Sequence, residues 1–223
     1  HSSMPRENGA PRVLSVALGR LAELEFPSRI LPATDAFLDR FADSAPFHER
    51  LALKNRWLMG PFVERALAGR PAGNAMIRDT LALTLLNAGI TANVVPARAS
   101  ATVNLRLLPG SDLPGVLRRV EGALDDPRVS VEVIRDDGAS PAAPIDGEEW
   151  ARLEAALASA YPDNDALIAP IITPATLDAR FFARRGIPTY RLVPFVLDAN
   201  ERGRVHGVDE RISISNLVEA ARV

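Results

Sequence analysis

Between residues 99 and 107 the chain alternates strictly between apolar and polar side chains. Successive side chains of an extended strand point to opposite faces, so this period of two predicts a strand with one buried face and one open face. The apolar face comprises Ala99, Ala101, Val103, Leu105 and Leu107, and the polar face comprises Ser100, Thr102, Asn104 and Arg106. A half-buried strand indicates a sheet that is covered by other elements on one side only.

The neighbouring segments predict what covers it. Residues 11–26 carry an apolar stripe at helical spacing, residues 80–86 form an apolar strand, and residues 112–124 form a second amphipathic helix. Val129, Val131 and Val133 predict a further alternating strand. This order is typical of an open-faced α+β sandwich, an antiparallel sheet with helices on one face. The first few residues could supply the strand that balances it.

Residues 32–70 predict a block of short helices that Pro46 and Pro61 interrupt. Its apolar cluster is expected to lie in a core: Trp57, Leu58, Met59, Phe62 and Val63. His48 stands among ordinary surface residues in this block, and we interpret it as structural.

The pattern changes after residues 136–141, a turn-rich stretch that predicts a boundary between domains at 1–137 and 138–223. Beyond it, Asp146 and Glu149 form a capping box that opens a helix to residue 161. Residues 166–172 and 188–195 predict two apolar strands with a helix at 177–185 between them. Strand, helix and strand with short connections indicate a parallel α/β unit.

Composition excludes several classes of protein. The formal net charge is −2, so the chain offers no general attraction to nucleic acid or to an anionic membrane. Because it has no cysteine, any metal ion must be bound by histidine and carboxylate groups. No apolar run is long enough to span a membrane and no signal peptide is visible, which leads us to expect a cytoplasmic protein.

His206 is one of only three histidines, and Asp209 and Glu210 follow it closely. A neutral imidazole on a turn beside carboxylates is what a catalytic zinc site requires of one ligand. The alternative is a solvated, charged turn ahead of a final helix at residues 213–223.

Four short segments stand out in the sequence, and their order along the chain is informative. They are residues 1–5 (HSSMP), residues 89–96 (GITANVVP) with Asn104 and Arg106, residues 174–182 (PATLDARFF) with residues 186–190 (GIPTY), and residues 204–213 (RVHGVDERIS). In this order and at these spacings the chain resembles the aminoacylase/carboxypeptidase family of two-zinc metallohydrolases. The helical block at 32–70 is similar to that of the carboxypeptidase S-like branch.

The resemblance implies a role for each matched residue. His206 would be a zinc ligand. His1, in a lid domain that dimerises, would reach the active site of a second copy and polarise the scissile carbonyl. The same first four residues are also what a trimmed purification tag leaves. Asn93 would bind substrate through hydrogen bonds, and Arg106 would hold a carboxylate through a two-pronged contact.

Three residues depart from the family pattern and concern the substrate: Asn104, Leu177 and Arg191, the last of which stands where a small residue is common. Asn104 stands where the family usually has aspartate, which affects how Arg106 is oriented. Leu177 replaces a polar residue that lines the family's substrate site, so the pocket would be narrower or drier. Arg106 has a simpler alternative as an outward residue of a half-exposed strand. Asp178 could equally serve as an acidic residue at a helix N-terminus.

The family's other metal ligands and its catalytic glutamate lie upstream of a segment like residues 1–5. We therefore expect a C-terminal fragment of a zinc-dependent amidohydrolase or peptidase, inactive alone, whose parent binds two zinc ions. The substrate would be an N-acyl amino acid or a small peptide, and the partner a second copy bound through the lid domain. The alternative is a non-catalytic dimerisation module.

Overall fold

A computed structural model of the protein describes residues 8–161, 167–173, 177–192, 204–205 and 207–221. These residues form two compact units. The first contains the described chain up to Ala142 and a short segment that begins at Ile171, and the second contains Ala143–Pro170 and the described chain from Leu177 onward. Helices and a small antiparallel sheet occur together, so the α+β class is confirmed.

The first unit holds most of the regular structure. Its elements in chain order are α1 (Ala10–Ala22), α2 (Pro32–Ser44), α3 (Phe47–Lys54), α4 (Arg56–Ala68), α5 (Pro71–Ile77), β1 (Thr80–Asn87), β2 (Ser100–Arg106) and α6 (Leu113–Leu124). The second unit contains α7 (Glu148–Ala160), α8 (Ala179–Ala183) and α9 (Ile214–Ala220). Four of the described helices have a proline at one of their first two positions, where its missing N–H removes no helical hydrogen bond: α1, α2, α5 and α6.

The two strands form an antiparallel pair. Thr80 lies opposite Arg106 at one end of the pair, and Asn87 lies opposite Ser100 at the other. The alternation predicted from the sequence is confirmed, because the apolar side chains of β2 pack on the core while Asn104 and Arg106 are exposed.

Thr84 is an extra residue in β1. The pairing passes from Leu83 to Leu85 while β2 advances by a single residue, which is a β-bulge. The Thr84 hydroxyl donates to the carbonyl of Thr102, 3.1 Å away, and so occupies an acceptor beside the irregularity. Since a bulge interrupts the regular alternation, the side chains beyond it change face.

One hydrophobic core lies between the hairpin and two helices. Its buried members are Ala17 and Leu21 of α1, Phe26, and Val116, Val120 and Leu124 of α6. Leu81, Val103 and Leu105 of the strands pack against this cluster. Helices therefore cover one face of the hairpin, as predicted. α6 begins at the predicted place because the Asp112 carboxylate accepts the N–H of Gly115 at 2.8 Å, an N-cap bond.

A second core holds the helical block together. It consists of Leu38, Ala42 and Ala45 from α2 and its end, Leu53 from α3 and Val63 from α4. The prediction that the neighbouring apolar residues are also buried was wrong. Only Val63 of that group is buried, whereas Trp57 is 83% exposed and Phe62 66%. α4 is apolar on both sides, so its sequence does not indicate which side faces the core.

Several predicted elements differ in the structure. Residues 129–133 form no ladder, although Val129 and Val131 pack on the first core. Gly147 rather than Asp146 precedes α7, and no side chain caps that helix. The predicted strands at 166–172 and 188–195 are absent where the structure describes them, at 167–172 and 188–192. The strand expected from the first few residues lies outside the described residues.

Candidate substrate-binding hairpin

The hairpin carries both substrate-binding residues predicted in the first unit. Asn93 lies in the segment between β1 and β2 and is exposed, and Arg106 is the last residue of β2 and is exposed as well. Arg106 lies opposite Thr80, on the face of the hairpin away from the helices. The hairpin therefore presents two polar groups to the outside. A guanidinium is suited to bind a carboxylate, and a carboxamide is suited to bind an amide carbonyl.

A tight turn fixes the chain immediately after β2. The N–H of Ser111 donates to the carbonyl of Leu108 at 3.0 Å, and Gly110 between them has a φ of 76°. Pro109 at the second position and a left-handed glycine at the third identify a type II turn. The sequence signal at Pro109-Gly110 thus marks the end of the strand correctly.

The buried carboxylate of Asp79 holds both ends of this turn. Its Oδ1 accepts the N–H of Leu108 at 2.7 Å and the hydroxyl of Ser111 at 2.5 Å. Asp79 immediately precedes Thr80, the residue that pairs with Arg106. The backbone of Arg106 is consequently fixed from the opposite strand and from the turn two residues later.

Arg29 extends this network to the connection before α2. Its Nη2 donates to Ser111 Oγ at 2.5 Å, and its backbone N–H donates to the carbonyl of Ile77 at 2.7 Å. The guanidinium places a positive charge close to the Asp79 carboxylate, with the Ser111 hydroxyl between them. Buried carboxylates require such partners, because burying an ionised group without hydrogen bonds costs on the order of several kcal/mol of folding free energy.

Sequence reasoning did not find Asp79, Ser111 or Arg29. The turn signal at Pro109-Gly110 was present, but the carboxylate that binds the turn lies about thirty positions earlier in the chain. Only the strand register brings them together.

The remaining predicted site residues lie elsewhere. Leu177 belongs to the second unit, directly before Asp178 and α8, and is 46% exposed. Asp178 occupies the N-cap position of α8 but forms no capping hydrogen bond there. His1 and His206 lie outside the described residues.

The residues on either side of His206 form a charged turn. Asp209 Oδ2 accepts hydrogen bonds from Arg204 Nη1 at 3.1 Å and from Arg211 Nη1 at 2.8 Å. The N–H of Gly207 donates to the carbonyl of Arg204 at 2.8 Å. Asp209 has a φ of 63°, a left-handed conformation that is uncommon outside glycine and asparagine-like residues.

A zinc site needs several histidine or carboxylate side chains close together. Within the described ranges, no group of three or more histidine or carboxylate side chains could hold a metal ion. Structural and catalytic zinc sites need three or four such ligands. The described residues alone therefore do not fit a zinc ion.

Comparison with known proteins identifies the family. Residues 8–223 match the model of peptidase family M20/M25/M40. The chain is 33% identical to a probable carboxypeptidase S-like protein of Dictyostelium discoideum over 217 residues, which cover 97% of this chain and 41% of that protein. It is also 33% identical to an N-fatty-acyl-amino acid synthase/hydrolase of Mus musculus over 222 residues, or 97% of this chain and 43% of that protein. No solved structure matches the chain.

The family match covers residues of both compact units. The chain is a member of peptidase family M20/M25/M40, as the resemblance in its sequence indicated. It spans 41 to 43% of the length of the two relatives named above. None of the helices among the described residues is long and apolar enough to cross a membrane.

Proposed function

We propose that this chain is the C-terminal part of a zinc-dependent amidohydrolase that cleaves the amide bond of an N-acyl amino acid or a small peptide. The observation that carries the proposal is the match to the peptidase family over residues 8–223, together with relatives that include an N-fatty-acyl-amino acid synthase/hydrolase. The exposed Arg106 and Asn93 supply the chemistry that such a substrate needs.

Arg106 is the residue that binds the substrate carboxylate. A guanidinium can donate two parallel hydrogen bonds to a carboxylate, which fixes its orientation as well as its position. Arg106 ends a strand that pairs with β1 and is followed by a turn bound to Asp79. Its backbone is therefore already fixed, and little backbone entropy is lost when the contact forms. Asn93 binds the amide group of the substrate with its own carboxamide.

The other site residues keep the roles that the family resemblance implies. His206 is a zinc ligand, and the charged turn of Arg204, Asp209 and Arg211 orients the loop on both sides of it. Leu177 lines the substrate pocket with an apolar side chain, and His1 acts on the active site of a second copy. When bound, zinc ions would supply the chemistry that activates water for attack on the amide, and His206 would be one of the residues that hold them. Their remaining ligands belong to the parent protein.

Residues 1–137 serve in this proposal as a lid and dimerisation domain with a ferredoxin-like sheet, and residues 138–223 complete the metal-binding domain. The exposed apolar side chains support the view that other surfaces cover this chain. Leu83, Leu85 and Leu86 of β1 are at least half exposed, as are Trp57 and Phe62 of α4. Exposed apolar surface of this kind marks an interface more often than a free surface.

The test is hydrolysis by the zinc-loaded parent protein. We expect it to hydrolyse N-dodecanoyl-leucine, and we expect Arg106→Ala to raise KM for this acid far more than for its carboxamide. Loss of a charge-assisted contact corresponds to about 2 kcal/mol, or roughly thirtyfold. A parent protein that hydrolyses neither N-acyl amino acids nor dipeptides in the presence of zinc would refute the proposal.

The alternative function is a non-catalytic dimerisation module. It is favoured by β1, which has apolar side chains along an edge that is free among the described residues. Hydrolysis by the parent protein distinguishes the two functions, because both of them include a dimer that cross-linking would detect. A module of this kind would dimerise through β1 while its parent shows no hydrolysis.

A further inference from the structure

Asp79 is the only carboxylate among the described residues that is buried, and the predicted catalytic roles do not use it. Its burial requires an explanation, since a carboxylate is rarely buried unless hydrogen bonds or an ion pair offset the loss of hydration. Its two hydrogen bonds go to Leu108 and Ser111, the first and last residues of the turn that follows β2.

We infer that Asp79 is a positioning residue for substrate binding: it holds the end of β2 so that the Arg106 guanidinium is preorganised to grip the substrate carboxylate. The inference rests on the proposed function, in which Arg106 binds that carboxylate. Asp79 does not touch substrate and acts through Arg106.

The geometry supports a local effect on Arg106. Thr80 fixes Arg106 across the ladder, and the bond from Leu108 N–H to Asp79 Oδ1 fixes the chain two residues further on. Among the described residues, β1 is the only strand that pairs with β2, so no second strand holds the end of β2 in place. A displacement of about 1 Å at a binding group can cost up to a hundredfold in rate, so a loosened exit should weaken carboxylate binding specifically.

A second side chain, Arg29, also holds the turn that Asp79 binds. Arg29 donates to Ser111 Oγ, and Ser111 in turn donates to Asp79. This chain of hydrogen bonds ties the turn to the connection between α1 and α2. The carboxylate thus serves as the common acceptor through which both ends of the turn are anchored.

The experiment compares two substrates in the zinc-loaded parent protein. N-dodecanoyl-leucine carries the carboxylate and N-dodecanoyl-leucinamide lacks it, and the measured quantity is the ratio of their kcat/KM values. Asp79→Ala should lower this ratio about three- to tenfold, mainly through KM of the acid, with kcat for the amide unchanged. Asp79→Asn keeps an acceptor for the Leu108 N–H and should retain the ratio within about twofold.

Thr34→Val is the matched control. The Thr34 hydroxyl is also buried and donates to the carbonyl of Met76 at 3.2 Å, in the same unit but not to any residue of the turn. It should lower the thermal midpoint of the parent protein and leave the ratio unchanged. If Asp79→Ala destabilises too strongly to purify, Ser111→Ala removes one of the two contacts with the turn and should lower the ratio in the same direction.

Each outcome separates this inference from the proposed function. If Arg106→Ala leaves the ratio unchanged, Arg106 does not bind the carboxylate, so the positioning role of Asp79 fails while hydrolysis by the parent protein still supports the proposed function. If Arg106→Ala lowers the ratio while Asp79→Ala and Ser111→Ala lower acid and amide turnover equally, only the positioning role is overturned. A second readout needs no zinc: hydrogen exchange of the backbone at residues 106–108 should accelerate in Asp79→Ala and not in Thr34→Val.

Discussion

The guanidinium of Arg56 lies against the carboxylate of Asp35, with Nε and Nη2 at 2.9 and 2.6 Å from the same oxygen, Oδ1. Its Nη1 reaches Asp39 Oδ1 at 3.1 Å and also donates to the carbonyl of Leu53. One side chain at the start of α4 therefore binds two carboxylates of α2 and the end of α3. The Arg56 side chain is only 14% exposed, whereas Asp35 and Asp39 are 55% and 54% exposed, so the guanidinium is largely covered while its two carboxylate partners face solvent.

Replacing Arg56 with lysine should destabilise the helical block. An ammonium cannot reproduce the planar fork that bridges Asp35, Asp39 and the Leu53 carbonyl at once, so we expect a loss of about 1 to 2 kcal/mol in the free energy of unfolding. Urea denaturation followed by circular dichroism measures it. Lys54→Ala is the control, because Lys54 pairs with Asp43 at the surface and such pairs contribute about 0 to 1 kcal/mol. Equal losses in the two variants would contradict the special role of Arg56.

Gly73 is a position where no side chain fits. A Cβ built there would lie 2.5 Å from the carbonyl oxygen of Leu67, which is backbone and cannot move aside. Gly73→Ala should therefore separate α5 from the end of α4 and cost about 2 kcal/mol or more. Gly19 in α1 has open space around it, so Gly19→Ala should stabilise the protein by about 1 kcal/mol. Thermal denaturation of both variants should give shifts of opposite sign, and a neutral Gly73→Ala would show that the two helices can separate freely.

The pair of Asp126 and Arg128 predicts a specific acid response. Side-chain hydrogen bonds from Arg128, at 2.6 and 2.8 Å, lower the pKa of Asp126 from 3.8 to about 2. A depressed pKa stabilises the folded state above the unfolded value of 3.8, and this contribution disappears as the pH falls through about 2.

The variant Asp126→Asn should isolate that response. The difference in unfolding free energy between the native protein and Asp126→Asn should be constant above about pH 4 and should shrink towards pH 2, as linkage requires. Urea titrations at a series of pH values measure it. Arg128→Ala removes the hydrogen bonds that lower the pKa of Asp126. The difference in unfolding free energy between the native protein and Arg128→Ala should therefore depend on pH in the same way. A difference that stays constant down to pH 2 would mean that the pKa is not depressed.

Local patterns in the sequence predicted the elements that pack on one side only. The alternation at residues 99–107, the helix at Asp112 and the turn at Pro109-Gly110 all agree with the structure. Each combines an apolar face with a polar face or a turn residue whose backbone demands are known. The family itself was predicted from the order of short segments, and the comparison confirms it.

The failures have a common physical cause. Trp57 and Phe62 are apolar residues of a helix that has Val63 on its other side, and periodicity cannot show which apolar side is buried. Asp79 binds residues about thirty positions away, which only the strand register reveals. The roles of the predicted site residues stay predictions: Asn93, Arg106, Leu177, His1 and His206.

Zinc content is the measurement that tests the proposed function most directly. In the zinc-loaded parent protein, His206→Ala should lower the zinc bound per protein and abolish hydrolysis together. The loss of a ligand lowers the affinity for zinc, and without zinc no activated water is available. His48→Ala is the matched control, since the His48 side chain is 81% exposed and its nearest carboxylate, Glu49, is 4.0 Å away. The control should keep both zinc and activity. Unchanged zinc content in His206→Ala would contradict the assignment of His206 as a ligand.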